Sequence, residues 1–442
     1  MDSLSLTVLL AVVNFLICSV AFFLKPYPIV TIFHLTLLSS FITYGIRPLF
    51  SALLGGFTLY PTPLGWSAYN LGLLYSLLFT VPYVATYLLL RTKKSFNQKA
   101  ISLTGIRLSF FSVLLTLFTG AIAVLAIHVL SQGRWLPVAR NQTITSVVPF
   151  GKILFPSAVI PLSVSIPALV LILFRYRHCR IKFIFVVVLL VCVSLLLILL
   201  YQRGFFLSGI LWSVFLYERI FKKLTYRKAF IVGLICFLSL FILRPFAVFI
   251  ASGGKTKPDI SLFLKKNFLF AFAASPNFDA PDVWQVFVWY VSEHGYLEGK
   301  SFYAFPARFL RPIDRLELDL KTSVDLINEF YWGEIYWETN FAFAVSSAQE
   351  IYLNFGPILI PCFAVLSGLW TYFLDSWLYR FRRVTLFRLF LIVVAFKMGS
   401  LGGELAQTVQ WAVGYAIVGM VLSFPEEIAL KQRAKNRNLY RV

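Results

Sequence analysis

Three arginines, Arg308, Arg311 and Arg315, crowd into the stretch Phe305-Pro306-Ala307-Arg308-Phe309-Leu310-Arg311-Pro312-Ile313-Asp314-Arg315. A guanidinium binds phosphate oxygens as a bidentate fork and stays charged at any physiological pH, so three together suit a diphosphate better than a lone carboxylate. Spacings of three and four place them on one face if the stretch is helical, although Pro312 argues against a regular helix through all three. The plainer alternative is internal pairing with Asp314, Glu317 and Asp319. Arg203, in Tyr201-Gln202-Arg203-Gly204 directly after an apolar run, is a further phosphate ligand or a side chain snorkelling to headgroups. Arg47 and Arg244, near the ends of apolar stretches, are secondary candidates of the same kind.

Carboxylates gather in the same part of the chain: 13 of the 19 Asp and Glu residues fall between residues 252 and 350. Most serve to solvate that segment. Glu350 stands apart, because Ser346 and Asn354 lie four residues to either side and form a polar stripe leading into an apolar stretch. An ionisable group at membrane depth is costly and is by default a functional candidate. Glu338 and Glu334 precede it among Tyr331, Trp332, Tyr336 and Trp337. Partial burial there raises a carboxyl group toward general-base range. His294 is an alternative base, weighed against a merely solvated loop histidine. Tyr352 and Asn354 are secondary ligand candidates beside Glu350. Trp284, Trp289, Trp332 and Trp337 suit either sugar stacking or an interfacial aromatic belt.

The elements that must position these groups are membrane helices. A chain of 442 residues that is 59% hydrophobic and 13% charged, with mean hydropathy +0.80, is no soluble globule. Apolar stretches long enough to cross a bilayer predict an all-α polytopic membrane protein of about eleven spans. They lie near 4–24, 29–54, 67–90, 108–131, 152–174, 183–201, 205–217, 229–250, 346–374, 389–403 and 407–424. Basic clusters at 91–107, 175–182, 219–228, 380–388 and 431–441 all fall on one side of that arrangement. The positive-inside rule then puts the amino terminus outside and the carboxyl terminus in the cytoplasm. Residues 1–442 read as a single membrane domain, with residues 252–345 as an external loop between the eighth and ninth spans.

Within that loop, Pro281–Ser292 reads as a helix or a partly buried strand, with Pro281 and the 284/288/291 apolar spacing favouring helix, and Ser323–Trp337 reads as helix. These pieces lie over the spans as a lid. The net charge of +21 is assigned to span ends and anionic headgroups, not to nucleic acid. The first apolar run lacks a basic leader and reads as a retained span. Cys18, Cys179, Cys192, Cys236 and Cys362 form no CxxC pair, and the four histidines form no metal-ligand spacing, so neither a disulfide nor a metal is expected. Lys397 and Glu404 are expected to pair structurally.

Three stretches together resemble the bacterial oligosaccharide repeat-unit polymerases, the Wzy-type polymerases of O-antigen and exopolysaccharide. One is Gln202-Arg203-Gly204 before an apolar span and a basic turn. The second is Gly295-Tyr-Leu-Glu-Gly299-Lys-Ser301 leading to Phe305-Pro306-Ala307-Arg308-Phe309. The third is Glu350-Ile-Tyr-Leu-Asn354-Phe-Gly356. The likeness is best over about 183–370. Ala307 separates Pro306 from Arg308 where the family often reads Pro-Arg, and Arg140…Gly151 supplies one match to the family's Arg-x10-Gly pattern.

The resemblance implies a GT-C-type glycosyltransferase bundle in the bacterial inner membrane. It would use polyprenyl-diphosphate-linked oligosaccharides with no cofactor or metal, alongside a chain-length regulator and a flippase. It assigns Arg203 and Arg308 to the family's arginine positions, and Glu350 and Asn354 to its acidic motif. Two rival readings are a ligase that moves finished glycan to another acceptor, and a lipid-linked glycan flippase or transporter. No histidine occurs at 340–350, where the related ligases carry one. Transporters usually place charge between repeated halves at mid-membrane, and no repeat is visible here.

Overall fold

The structure is a computed structural model that describes residues 2–24, 28–93, 101–102, 105–130, 151–199, 203–221, 224–225, 227–229, 231, 233, 279–302, 321–333, 343, 345–399 and 405–439. These residues are almost entirely helical, with an isolated bridge between Ile106 and Val384 in place of any strand among them. Among the described residues, eight helices are long and apolar enough to cross a membrane: Ser3–Leu24, Gly65–Thr92, Phe110–Leu130, Leu154–Tyr176, Arg180–Leu197, Gly204–Phe221, Leu359–Arg380 and Gln407–Glu426. Each falls on an expected span. The protein is thus an all-α, multi-pass membrane protein.

Two of the expected spans differ. The stretch 29–54 is a helical run in three parts: α2 (Ile32–Ser40), a π-helical turn Phe41–Ile46 and α3 (Arg47–Leu53), coming after α1 (Ser3–Leu24). A π-turn adds a residue to the turn and rotates the helix beyond it, here directly before Arg47. The expected span 346–374 is two helices. A short one, Ser347–Phe355, stops at Gly356, whose φ of 78° is left-handed, and Leu359–Arg380 begins after Pro357. Glycine tolerates that backbone and proline cannot continue the first helix, so the break is local chemistry. The expected span 389–403 begins as a helix over Leu386–Gly399. Residues 234–250 lie outside the described residues.

The chain forms two compact units. The first comprises Met1–Asn97, Ile260–Trp377 and Lys397–Gln410. Here α4 (Gly65–Lys93) packs along α1 and against Ala280–His294, the helix expected at Pro281–Ser292. Gly72 makes the second packing possible, since a Cβ on it would stand 2.4 Å from that of Trp284. The described parts of the insertion therefore build the core of this unit. Trp284, Phe287, Ile327, Phe343 and Leu353 are buried together with Phe33, Tyr83 and Tyr87.

The second unit comprises Gln98–Asp259, Leu378–Phe396 and Trp411–Val442. Its buried centre is Gly151–Tyr176, packed by α5 (Phe110–Leu130), Arg180–Leu199 and Arg203–Phe221. Gly120 and Gly209 let their helices close on Leu162 and Ile166, the small-residue contact common between membrane helices. At one end of the unit the basic turns interlock. Arg107 N donates to Val384 O at 2.8 Å, Ile101 N to Arg219 O at 3.0 Å, and Arg219 Nη2 to Phe381 O at 2.6 Å. Three of the expected basic connections thus meet.

Carboxylates do a common job in both units. The first amides of a helix have no partner inside it, and lipid supplies none. Asp375 accepts from Ile32 N at 2.8 Å and Phe33 N at 3.3 Å, the opening turn of α2, and from the Tyr87 hydroxyl at 2.8 Å. Glu426 accepts from Leu386 N at 2.9 Å and Ser109 N at 3.1 Å, where Leu386–Gly399 and α5 begin. Each acid lies on one helix and closes the amino-terminal end of another, where the helix dipole also favours a negative charge.

Candidate functional site

The first unit holds buried polar groups assembled from distant parts of the chain. One set forms around the opening of the helix Ala280–His294, which begins at Asp279 with Pro281 in its first turn. Arg47, which opens α3, forms an ion pair with Asp282, and both side chains are fully buried. Asp282 also accepts from Leu59 N at 2.7 Å, and the Tyr60 hydroxyl donates to Asp279 at 2.7 Å. A guanidinium taken out of water requires a counter-charge, and Asp282 supplies it. The charge of Arg47, expected as a secondary phosphate ligand, is thus answered inside the protein by Asp282.

Burial pushes the Asp279 carboxyl up from its ordinary 3.8 to about 6, against the opposing pull of the Tyr60 hydroxyl and Arg47. The unfolded chain releases this proton near 3.8 and the folded chain near 6, so the folded form holds the extra proton between them. Stability from this group is therefore full at low pH and falls as pH rises through that window. Melting of detergent-solubilised protein should show a wild-type midpoint that declines over the window and then levels. Asp279→Asn should flatten that decline. An identical slope in both proteins would exclude Asp279 as its source.

A second set is built on Ser347–Phe355. Ser346 and Gln349 form a reciprocal capping box at its start, and Gln349 Nε2 reaches Ala280 O at 3.1 Å, tying this helix to Ala280–His294. Glu350 is fully buried. Its Oε1 accepts from Ser323 Oγ at 3.2 Å and its Oε2 from Leu405 N at 2.8 Å, the first amide of Leu405–Leu439. Ser323 itself opens the helix Ser323–Trp332, which is held by a Thr322–Asp325 capping box and ends at Gly333, earlier than the expected Trp337.

Asn354, one turn beyond Glu350, is also buried. Its Nδ2 donates to Ser301 Oγ at 2.8 Å and to Glu350 O at 2.8 Å. The Ser301 and Ser323 hydroxyls are 3.0 Å apart. Leu297 N and Glu298 N donate to Leu353 O at 3.0 Å and Asn354 O at 2.9 Å, so the turn 295–301 closes the end of Ser347–Phe355. This turn carries left-handed backbone at Gly295, Gly299 and the non-glycine Glu298, at φ 53°, a conformation that persists only where its surroundings enforce it.

Around the turn lies an aromatic group. Tyr352 is buried against Tyr75 (ring centroids 4.8 Å apart), Trp284 (5.5 Å) and Tyr296 (5.9 Å). Tyr296 is 46% exposed and rests on Gly356. His294 is exposed at the end of its helix, stacked on Tyr290 at 4.7 Å with Phe330 edge-on at 5.2 Å.

Among the expected site residues, the fold brings together Glu350, Asn354, Tyr352 and the turn beside His294. Arg203 opens the helix Arg203–Phe221 in the second unit. Arg244, Arg308, Arg311, Arg315, Glu334, Glu338 and Glu404 lie outside the described residues, so the expected Lys397–Glu404 pair does too. Asp279, Asp282, Ser301 and Ser323 escaped sequence reading. A signal for Asp282 exists: a lone arginine inside an apolar run demands an acid, and Asp282 is flanked by Val283, Trp284, Val286 and Phe287.

Comparison with models of known protein families, with curated proteins and with solved structures finds no match for this chain.

Proposed function

We propose that this chain is a membrane glycosyltransferase that polymerises polyprenyl-diphosphate-linked oligosaccharide repeat units on the outer face of the bacterial cytoplasmic membrane. The observation that carries this reading is the docking of two stretches on which the resemblance rests. Gly295–Ser301 and Glu350–Gly356 are far apart in sequence, yet they share backbone hydrogen bonds, the Ser301–Asn354 contact and the packing of Tyr296 on Gly356. A pattern arising by chance in two places has no reason to meet in space.

In this scheme the growing glycan leaves its lipid diphosphate and joins the non-reducing sugar of an incoming lipid-linked repeat. The bond from the anomeric carbon to the diphosphate oxygen breaks, and a bond to the acceptor hydroxyl oxygen forms. The acceptor proton passes to a base, for which the sequence offers Glu350, Glu338 and His294. Arg203 and the Arg308, Arg311, Arg315 group hold the diphosphate and stabilise the charge that develops on it. Polyprenyl tails reach the protein from within the bilayer.

Purified protein reconstituted with polyprenyl-diphosphate-linked repeats should produce a ladder of longer glycans. Arg203→Ala and Arg308→Ala should each slow extension by about 10²–10³, the loss typical when a transition-state charge partner is removed. Unchanged chain length in both variants would overturn the arginine assignment. Transfer of finished glycan to another acceptor would favour the ligase, and movement across vesicles without lengthening would favour the flippase.

A further inference from the structure

The geometry points to Glu350 as a positioning residue, not a base: its carboxylate anchors the turn 295–301 through Ser323, Ser301 and Asn354, and fastens that assembly to the start of Leu405–Leu439. A carboxylate only accepts hydrogen bonds. The Ser323 hydroxyl, the donor toward both Glu350 Oε1 at 3.2 Å and Ser301 Oγ at 3.0 Å, therefore bridges the carboxylate to the turn. The Asn354 amide in turn donates to Ser301 at 2.8 Å. Ser301 Oγ thus accepts from both sides, and the network joins the carboxylate to the turn through two hydroxyls.

Asn354 completes the link to the turn. Its Oδ1 accepts from Ser301 N at 3.4 Å, and its carbonyl accepts from Glu298 N at 2.9 Å. The groups that this arrangement presents are on the exposed side of the turn: Tyr296, Glu298 and Lys300, next to His294. Glu350 itself is fully buried, with an acceptor bond already made at each oxygen, and that is poor placement for collecting a proton from a sugar hydroxyl. Asp375 and Glu426 also accept from backbone amides of other helices, so Glu350 belongs to a pattern repeated through the fold.

The structural half of this inference stands without any assigned reaction. The catalytic half, that the turn positions substrate, rests on the polymerase reading. The test separates them by using two readouts on the full chain in detergent and in vesicles. Hydrogen exchange at Leu297, Glu298 and Ser301 reads the anchor directly. Extension of repeats extracted from cells lacking this chain, tracked across pH, reads the reaction.

Glu350→Ala should speed exchange in the turn by at least about tenfold, the scale of one buried hydrogen bond left unmade. Ser301→Ala cuts the chain one link from the carboxylate without removing a charge, and should do the same even if Glu350→Ala folds poorly. Glu350→Gln keeps the size and one acceptor, so it should fall between wild type and Glu350→Ala. In extension assays Glu350→Gln and Ser301→Ala should raise KM while keeping the wild-type pH profile. Unaltered exchange in both Glu350→Ala and Ser301→Ala would overturn the anchor. A Glu350→Gln protein with a protected turn but no turnover would overturn the positioning role and make Glu350 a reacting group. Failure of wild type to extend glycans, with exchange responding as stated, would sink the polymerase reading and leave the anchor intact.

Discussion

Asp282→Ala is expected to lose about 3–5 kcal/mol of stability, the cost of breaking a buried ion pair from one side. The Arg47 guanidinium and the Asp282 carboxylate are both fully buried, so neither charge can turn to water once its partner is gone. Asp282 also holds Leu59 N at 2.7 Å, and the helix it opens carries Trp284 into the packing against Gly72. The expected readout is a large fall in the melting temperature of detergent-solubilised protein. The double variant Arg47→Met/Asp282→Leu removes both charges and fills similar volume, and it should recover most of that loss. If the double variant is as unstable as the single one, the damage comes from packing and not from the stranded charge.

Asp375→Leu should be the second severe change. It removes the acceptor for Ile32 N, Phe33 N and the Tyr87 hydroxyl at once. A buried donor left without a partner costs about 1–3 kcal/mol, and here three are affected. Asp375→Asn keeps one oxygen of nearly the same size and should retain part of the stability, because a single acceptor still faces the start of α2. Melting curves of wild type, Asp375→Asn and Asp375→Leu should rank in that order. Equal melting of Asp375→Leu and wild type would mean that water or another group satisfies these amides, and that the capping carboxylates are not structural.

These two residues also show how far the amino-acid sequence could be read. The apolar stretches, about twenty residues each and bounded by basic turns, were sufficient for an all-helical membrane protein. Among the described residues, the eight helices long and apolar enough to cross a membrane fall on stretches that hydropathy marks. The helix at Ala280–His294 was legible from Pro281 and its apolar spacing. The break at Gly356-Pro357 was visible as residues but not as a decision, since a long apolar stretch can bend or stop at such a pair. Backbone φ at Gly356 settled it.

The site divides along the same line. Local chemistry marked Glu350, Asn354 and Tyr352, because a polar stripe at helical spacing beside an apolar stretch is a pattern within a few residues. Their partners were illegible: Ser301, Ser323 and Leu405 N come from three distant parts of the chain. The same holds for Arg47 with Asp282 and for Asp375 with α2. Sequence determines what each segment is, since helix formation and membrane burial depend on neighbouring residues and their hydrophobicity. Only the tertiary structure decides which buried donor meets which acceptor, because that depends on how helices pack.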